Sequence, residues 1–284
     1  MNKIAAVILN YNSSADCAKC VASLKKQQDV ELGIIIVDNC SAPDDRAAVE
    51  ELCRRENCVF IANNENRGYN AGNNVGLRYA SANSFEYALV ANPDVELVDE
   101  NYLSELSTVC QNDRSVVVCA GDVITAEGIH QNPKYIEQND NKPFFLRLFT
   151  GGGTQTPVDS KTSRYVKYLN GSCILLSIDF LKSINYFDER VFLYGEESIL
   201  ACQVENAGKR MYYLATVCCR HNHKKSRENK SAITERYWKQ SRLILIRHHS
   251  KYPPLRRRLE EFRVVCFFAG LRVYHFIKET FFGR

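Results

Sequence analysis

The chain has 284 residues, of which 45% are hydrophobic and 25% charged, and it carries a formal net charge of +4. This composition is that of a globular protein large enough for one α/β core, or for a core with an appendage. No apolar run reaches membrane-spanning length, and Met1 leads directly into a predicted strand rather than a signal sequence, so we expect a cytosolic protein. The twelve cysteines are scattered among apolar residues, which predicts buried thiols rather than disulfides or a zinc site.

Positive charge is concentrated near the C-terminus. Residues 207–284 contain 19 Lys plus Arg against 5 Asp plus Glu, whereas residues 1–206 contain 18 against 28. A basic tail on an acidic body indicates an anionic partner at one end of the molecule.

Short apolar strands alternate with helices through the first 125 residues. The predicted strands cover residues 4–9, 32–37, 59–62, 87–91 and 116–123, and the predicted helices end near residues 27, 55, 80 and 110. Continuous apolar strands between helices imply a mostly parallel sheet that is covered on both faces. Such sheets bind ligands at the carboxyl ends of their strands, which here carry Asn10, Asp38, Asn66 and Asp94.

The turn after the first strand excludes several nucleotide-binding folds. A dinucleotide-binding dehydrogenase has Gly-x-Gly-x-x-Gly at this position and a P-loop enzyme has Gly-x-x-x-x-Gly-Lys, whereas this chain has Leu9-Asn-Tyr-Asn-Ser-Ser14. Sugar-phosphate nucleotidyltransferases, which also carry a glycine-rich loop there, are disfavoured for the same reason.

The segment Asn92-Pro93-Asp94 follows the fourth predicted strand and has the chemistry of a metal site. Asp94 offers the hard oxygen ligand that Mg²⁺ or Mn²⁺ prefers, and Asn92 can supply a neutral oxygen or a hydrogen bond. Pro93 fixes φ and ends the strand, so both side chains project from a rigid corner. The alternative is an ordinary turn, for which this tripeptide is also suited.

The densest cluster of polar residues and glycines covers residues 63–77. Gly68 and Gly72 permit close approach of the backbone, Arg67 offers a charged fork, and the Asn amides can hold a nucleotide or a hydroxylated ligand. The alternative is a helix entry with Asn caps. We favour ligand contact, because the amino termini of helices attract phosphate.

An acidic pair and a histidine complete the candidate residues in the second half of the chain. Strands are predicted at 165–170, 173–177, 211–214 and 217–219, and a helix at 196–207. Glu196 and Glu197 in its first turn are either surface acids that complement the helix dipole or a general base. His221 and His223 follow the last strand among basic residues, and are either structural or able to contact a metal or phosphate.

Taken in order, these segments resemble the family 2 glycosyltransferases of the GT-A fold, in particular their bacterial rhamnosyltransferase-like branch, from residue 4 to about 226. The matching segments are Val7-Ile-Leu-Asn-Tyr-Asn12, Val37-Asp-Asn-Cys-Ser41, Asn66-Arg-Gly-Tyr-Asn-Ala-Gly-Asn-Asn-Val-Gly76, Asn92-Pro-Asp-Val95, Phe187-Asp-Glu189, Phe192-Leu-Tyr-Gly-Glu-Glu197 and His221 with Ser226. The resemblance implies a mostly parallel central sheet with helices on both faces, followed by a helical C-terminal extension.

The resemblance also implies a site for a nucleotide-sugar donor, of the dTDP-rhamnose or UDP-sugar type. Asp38 would hydrogen-bond the base of the donor, and Arg67 and Gly68 would lie near the nucleotide. The donor-binding set that we predict consists of Asn10, Asn12, Asp38, Arg67, Gly68, Asn73 and Asn92.

A divalent cation, Mn²⁺ or Mg²⁺, and an inverting reaction follow from the same resemblance. Asp94 would be the metal carboxylate of a DxD-like motif, and His221 matches a position that can complete the metal site. Glu197 matches the catalytic base and Glu196 the acid before it. The base would take a proton from an acceptor hydroxyl, which then attacks the anomeric carbon.

Two departures from the family pattern affect the helix of the catalytic base. The Asp that commonly follows the acidic pair is Ile199 here, and the Arg that follows later is Gln203. These substitutions motivate an alternative function, that of a catalytically weak binding or scaffold subunit in a polysaccharide assembly pathway.

From residue 231 the chain reads as an appendage to a catalytic domain at 1–230. Beyond Pro253-Pro254, an apolar stripe recurs at helical spacing among basic residues; its members are Phe262, Val265, Cys266, Ala269, Val273, Phe276 and Ile277. The stripe packs on its own domain, lies in an anionic membrane interface, or less readily contacts nucleic acid. A membrane-facing tail suits a lipid-linked saccharide acceptor in bacterial surface polysaccharide synthesis, such as O-antigen or capsule, and predicts peripheral association with the inner face of the membrane.

Overall fold

The computed structural model describes residues 1–133, 159–222 and 232–282. His223 and Ser226 therefore lie outside the described residues, and so do residues 134–158 and the side chains of Val273, Phe276 and Ile277. The described residues form one mixed α/β layer structure, a nine-stranded sheet with helices packed around it, followed by C-terminal helices.

The helices and strands have the following bounds. The strands are β1 Asn2–Asn10, β2 Val30–Asp38, β3 Val59–Ala62, β4 Tyr87–Ala91, β5 Val95–Leu97, β6 Val116–Thr125, β7 Arg164–Val166, β8 Cys173–Ser177 and β9 Arg210–His221. The helices are α1 Ser14–Leu24, α2 Pro43–Glu56, α3 Tyr69–Ala82, α4 Tyr102–Asn112, α5 Ile178–Ser183, α6 Glu196–Asn206, α7 Ala232–Ile244, a π-helical turn at Leu245–His249, and α8 Pro254–Phe282.

The sheet is mostly parallel. Its strand order is β3-β2-β1-β4-β8-β6-β9-β5, with β7 paired to β9. β1 to β4 run in one direction, β8 is antiparallel to β4 and β6, and β6 and β9 run parallel to each other. The carboxyl ends of six strands, β1, β2, β3, β4, β6 and β9, therefore meet at the same edge of the sheet, where the starting end of β8 also lies.

Both faces of the central strands are buried, which explains their continuous apolar sequences. Alternate residues of a strand point to opposite faces, so Ile4 and Ile8 of β1 pack on one side with Leu103, while Val7 packs on the other with Leu77. All five of these side chains are fully buried. Burying one such side chain contributes about 1.5–3 kcal/mol, and helices on both faces are needed to achieve it.

The fold agrees with the sequence-based prediction of a mostly parallel sheet, and four details differ. The two closing strands predicted at 211–214 and 217–219 are a single strand, β9, whose pairing with β6 is interrupted by a bulge. The strand predicted at 165–170 is shorter and ends at Val166. β5 and α5 were not predicted. A bulge adds residues to one strand without ending its pairing, so it reads in the sequence as a break between two strands.

The cysteines form no disulfide, as predicted. All twelve are free thiols, and most are buried or partly buried, whereas Cys40 and Cys266 are exposed. Cys17 and Cys20, which have redox or zinc spacing, lie in the core, and burial raises the pKa of both thiols above the ordinary value. These cysteines serve packing.

The first C-terminal helix packs against the sheet domain. Ile244 at the end of α7 lies in one buried cluster with Val191 and Ile199. α8 instead exposes large apolar side chains, of which Leu255 is 83% and Phe262 65% exposed. Among the described residues, no helix combines the length and the apolar character that crossing a membrane requires.

Candidate active site

The predicted ligand residues lie at the carboxyl edge of the sheet. Asn10 and Asp38 end neighbouring strands and are paired directly in register. β4 ends at Ala91, beside β1, so Asn92 and Asp94 follow at the same edge. β9 ends there with His221.

Asp94 and His221 are brought together by the short strand β5. Val95 pairs with His221 in the antiparallel β5–β9 ladder, and the backbone N–H of Asn222 donates to the carbonyl of Asp94 at 2.9 Å. As a result, His221 Nε2 lies 3.3 Å from Asp94 Oδ1. On its other side, His221 Nδ1 lies 2.9 Å from Gln131 Oε1. Because that oxygen only accepts, Nδ1 carries a proton, and Nε2 is the ring nitrogen that faces Asp94.

This pair has the chemistry and spacing of two metal ligands. Two neighbouring ligands at about 2.1 Å from an octahedral cation are about 3.0 Å apart, close to the observed separation. A histidine nitrogen and a carboxylate oxygen at this separation are linked favourably by a proton or by a cation between them. Within the described residues no group of three or more His, Cys, Asp or Glu side chains forms a metal site, so any cation bound here would take its remaining ligands from elsewhere.

Glu197, in the first turn of α6, contacts Gly171. Gly171 lies just before β8, whose starting end is at the same edge of the sheet. Glu197 Oε1 accepts a hydrogen bond of 3.0 Å from the backbone N–H of Gly171. The carbonyl of Gly171 is 3.1 Å from the hydroxyl of Tyr69, which is also 3.2 Å from Asn92 Oδ1. The backbone N–H of Asn92 donates to the carbonyl of Ser172 at 2.8 Å. Residues 171 and 172 therefore connect Glu197 to the turn that carries Asn92 and Asp94.

Glu196 and Glu197 begin α6 after a loop with unusual backbone geometry. Tyr194 and Gly195 both have positive φ, 68° and 79°. A Cβ on Gly195 would lie only 3.0 Å from Ser241 of α7, so the loop passes close to that helix. Burial, followed by the charges of Glu196 and Glu197, raises the pKa of Tyr69 and keeps its hydroxyl protonated.

Asn10 and Asp38 form an internal network beneath the edge. Asn10 Nδ2 lies 3.0 Å from Asp38 Oδ1 and 2.8 Å from Asp45 Oδ1. Asp38 Oδ2 also accepts from Arg46 Nε at 2.9 Å and from the Ser41 backbone at 3.2 Å. Burial raises the pKa of Asp38, but these hydrogen bonds outweigh it and the pKa lies below the ordinary value. The carboxylate is fully buried, so its direct contact with a base stays a prediction.

The remaining predicted donor residues differ in exposure. Arg67 is largely exposed and lies 3.6 Å from Glu189. Gly68 has φ 93°, and any side chain there would collide with the carbonyl of Phe192. Asn73 is buried and donates to the carbonyl of Tyr69 at 3.0 Å. Asn12 is exposed and accepts from the Ala42 backbone at 2.8 Å.

The two departures from the family pattern occupy packed positions. Ile199 is 1% exposed and lies against Val191 and Ile244. Gln203 is 8% exposed, and its Nε2 donates to the carbonyl of Tyr186 at 3.3 Å. Ile199 thus contributes an apolar contact to α7, where an unpaired carboxylate would be unfavourable.

Sequence reasoning missed three residues that organise the site. Tyr69 lies inside the predicted glycine and Asn cluster, but its bridging hydroxyl depends on Gly171, which is distant in sequence. Gln131 and Asn170 contact each other at 3.3 Å and support His221, and no motif marks either residue.

The sequence and the fold are similar to those of known proteins. The family description Glycosyl transferase family 2 matches residues 5–168, more than half of the chain. The chain belongs to this family. It is also 26% identical over 200 residues to the low-salt glycan biosynthesis hexosyltransferase Agl10 of Haloferax volcanii, a match that covers 69% of this chain and 60% of that protein. The chain therefore spans less than two thirds of this curated relative.

Solved structures share the fold of this family 2 member. S. aureus TarS 1-349 in complex with UDP-GlcNAc has a TM-score of 0.61 at 16% identity, over 93% of this chain and 71% of that one. The mannosyltransferase PcManGT of Pyrobaculum calidifontis, in complex with GDP-Man and Mn²⁺, has a TM-score of 0.59 at 15% identity, over 94% and 69%. The expected family and the GT-A fold are thus confirmed.

Proposed function

We propose that this chain is an inverting glycosyltransferase that moves a sugar from a nucleotide-sugar donor to a saccharide acceptor. The observation that carries the proposal is the arrangement at the sheet edge. The Asp94–His221 pair and the Glu197 carboxylate face the same edge and are joined through Gly171 and Tyr69. A diphosphate site beside a fixed carboxylate is what a displacement at an anomeric carbon requires.

The proposed donor is a nucleoside-diphosphate sugar of the UDP-sugar or dTDP-rhamnose type. Structural neighbours that carry UDP-GlcNAc or GDP-Man support this class. Arg67 and Gly68 immediately precede α3, and the exposed guanidinium of Arg67 offers a charged fork to the diphosphate. Asp38 and Asn10 position the strand ends that hold the base.

The proposed cofactor is Mn²⁺ or Mg²⁺, held by Asp94 Oδ1 and His221 Nε2. When bound, the cation supplies positive charge that stabilises the nucleoside diphosphate as it leaves. Gln131 keeps the His221 ring in the tautomer that ligation needs, because its oxygen accepts from Nδ1.

Glu197 is proposed as the general base. The Gly171 N–H holds one carboxylate oxygen at 3.0 Å, which fixes the orientation of the side chain. Glu197 takes the proton of the acceptor hydroxyl while that oxygen bonds to the anomeric carbon and the bond from this carbon to the diphosphate oxygen breaks. Attack opposite the leaving group inverts the configuration.

The proposed acceptor is a lipid-linked saccharide in bacterial surface polysaccharide synthesis, with the enzyme at the inner face of the membrane. α8 supports this, because exposed apolar side chains such as Leu259 and Phe262 occur there among Arg256, Arg258 and Arg263. A basic helix with exposed apolar residues can lie in an anionic interface, where each cation contributes about 1 kcal/mol.

Donor hydrolysis tests the proposal against the scaffold alternative. The purified protein is incubated with a panel of nucleotide sugars, with Mn²⁺ and with EDTA, and release of nucleoside diphosphate is measured. We expect slow, metal-dependent release with one donor, because a transferase loses some donor to water. No release with any donor, together with no thermal stabilisation by donor and Mn²⁺, would identify a scaffold.

A further inference from the structure

A basic cavity lies away from the candidate active site. It is formed by Arg190 on one side and by α7 with the π-helical turn on the other. Its volume is about 390 Å³. Four cationic side chains line it, and no acid does among the described lining residues. They are Arg190, Arg236, Lys239 and Arg247.

The four cations come together because three of them share a helix face and the fourth, Arg190, lies opposite that face. Arg236, Lys239 and Arg247 are separated by three and eight residues, so they share one face of α7 and the π-helical turn. Arg190 lies across from them, and its carbonyl accepts from Gln240 Nε2 at 3.3 Å. Its guanidinium is held by Asp188 at 2.8 and 2.6 Å.

Two of the four cations are not neutralised by the described part of the chain. Arg190 pairs with Asp188, and Arg247 pairs with Glu261 at 2.9 Å. Arg236 and Lys239 form no ion pair with any described carboxylate. Converging cations repel one another, and an anion bound between them relieves this repulsion. Arginine forks match phosphate oxygens in particular.

We propose that this cavity binds a phosphate or diphosphate group, namely that of the lipid carrier to which the acceptor saccharide is attached. The inference rests on the proposed function and deepens it. Arg190 is two residues from Phe192, whose carbonyl accepts from the Tyr69 backbone at 2.7 Å. An acceptor anchored here therefore has its phosphate beside the loop that leads to Glu197. A phospholipid headgroup offers the same chemistry, and the test separates the two sources.

The test uses a double variant in which Arg236→Gln and Lys239→Gln are combined. The control combines Lys26→Gln and Lys182→Gln, which removes the same two positive charges elsewhere on the surface. Lys26 and Lys182 are exposed and line no part of the cavity. We measure KM in detergent for a saccharide on a lipid diphosphate and for the same saccharide on an uncharged aglycone. In the double variant we expect KM for the diphosphate-linked acceptor to rise about tenfold, through loss of charge-assisted hydrogen bonds. KM for the uncharged acceptor and the rate of donor hydrolysis should be unchanged, as should every parameter of the control.

Two binding measurements complete the design. Sedimentation with phosphatidylglycerol vesicles tests the other source: if the double variant loses vesicle binding while KM in detergent is unchanged, the phosphate belongs to a membrane headgroup. Titration with inorganic pyrophosphate in EDTA requires no turnover, so it tests the cavity even in a protein that transfers no sugar. Pyrophosphate binding should weaken in the double variant and not in the control. Unchanged pyrophosphate binding, KM and vesicle binding together would overturn the proposal.

Discussion

A single backbone amide distinguishes the two adjacent acids of α6. The Gly171 N–H fixes one oxygen of Glu197 at 3.0 Å, and a Cβ on residue 171 would press against the same side chain at 3.3 Å. This orients the Glu197 carboxylate by contacts from another part of the chain. The sequence shows two neighbouring Glu residues, and only the fold indicates which of them is held in this way.

Glu197→Gln tests this assignment. Gln keeps the shape and still accepts from Gly171, but it cannot take a proton from the acceptor, so we expect turnover to fall about 10²-fold or more. Donor affinity should be nearly unchanged. Steady-state transfer rates and donor titrations check this, with Glu196→Gln as the matched variant that should lose less turnover. An equal or reversed ranking would move the base to Glu196.

Asp188 gives the protein a pH-dependent contribution to stability. Burial raises the pKa of this carboxyl, but hydrogen bonds from His249 at 2.6 Å and from Arg190 outweigh burial and hold the pKa below its ordinary value. A carboxyl with a lowered pKa stabilises the folded state above its unfolded pKa of about 3.9, and this stabilisation is lost as the pH falls through the folded value.

Asp188→Asn should therefore destabilise most above pH 5. We expect a loss of about 1.5–3 kcal/mol, since the change removes charge-assisted hydrogen bonds to His249 and Arg190, of which only His249 is largely buried. Urea unfolding of both proteins from pH 3 to 7 measures the difference, which should shrink below pH 4. The partly exposed pair Asp16–Lys19 offers a control, because Asp16→Asn should change stability little at any pH. A pH-independent difference for Asp188 would contradict the linkage.

At the scale of secondary structure, a strand of three residues assembles the candidate metal site. Asp94 immediately precedes β5, and the pairing of β5 with β9 brings His221 beside that residue. Long apolar runs such as β1, β2 and β4 were predictable, because a strand buried on both faces needs apolar residues throughout. β5 was not, because three residues with a central Glu96 give no periodic signal. The family resemblance implied that Asp94 and His221 share a metal site, and the β5–β9 ladder accounts for their contact.

Asp94→Ala should abolish metal-dependent donor binding. It removes the carboxylate at the strand corner, while the fold survives because the side chain is partly exposed. Calorimetric titration of donor with and without Mn²⁺ measures the effect. The control is Glu96→Ala, two residues further along the chain in β5, which makes the same change of charge without replacing a proposed ligand. Unchanged Mn²⁺-dependent affinity in a folded Asp94→Ala variant would show that the metal site lies elsewhere.

At the scale of the whole molecule, the C-terminal part divides into a packed helix and an exposed one. Phe192 stacks on Tyr237 with ring centroids 4.7 Å apart, and Tyr194 stacks on Trp238 at 5.5 Å. α7 therefore supports the loop that leads to Glu197. The sequence predicted a basic helical appendage from residue 231, but these contacts join distant segments and leave no local pattern. The division of the chain at residue 230 stays a prediction.

Truncation before Pro253 removes α8 and keeps α7 with its stacking contacts. In the described part of the chain, the truncation removes packing of α8 on α7 and on the π-helical turn, including the partly exposed Arg247–Glu261 pair, worth about 0–1 kcal/mol. We expect the shortened protein to fold and to bind donor, yet to lose sedimentation with anionic vesicles and most activity on lipid-linked acceptors. Vesicle binding by the intact protein should weaken as salt rises, because screening reduces the attraction of Arg256 and Arg258 to the surface.

A second variant keeps the test decisive if the shortened chain is insoluble. Leu259→Glu with Phe262→Glu places two charges on α8 in the full chain, one at the start of the apolar stripe and one a turn before it, where neither side chain is buried. Insertion of this face into an interface should then be unfavourable, while folding and donor binding are unaffected. Thermal unfolding, donor titration and vesicle sedimentation separate these effects. If the double variant unfolds, or binds vesicles as well as the natural chain does, the stripe packs against protein and α8 is not a membrane surface.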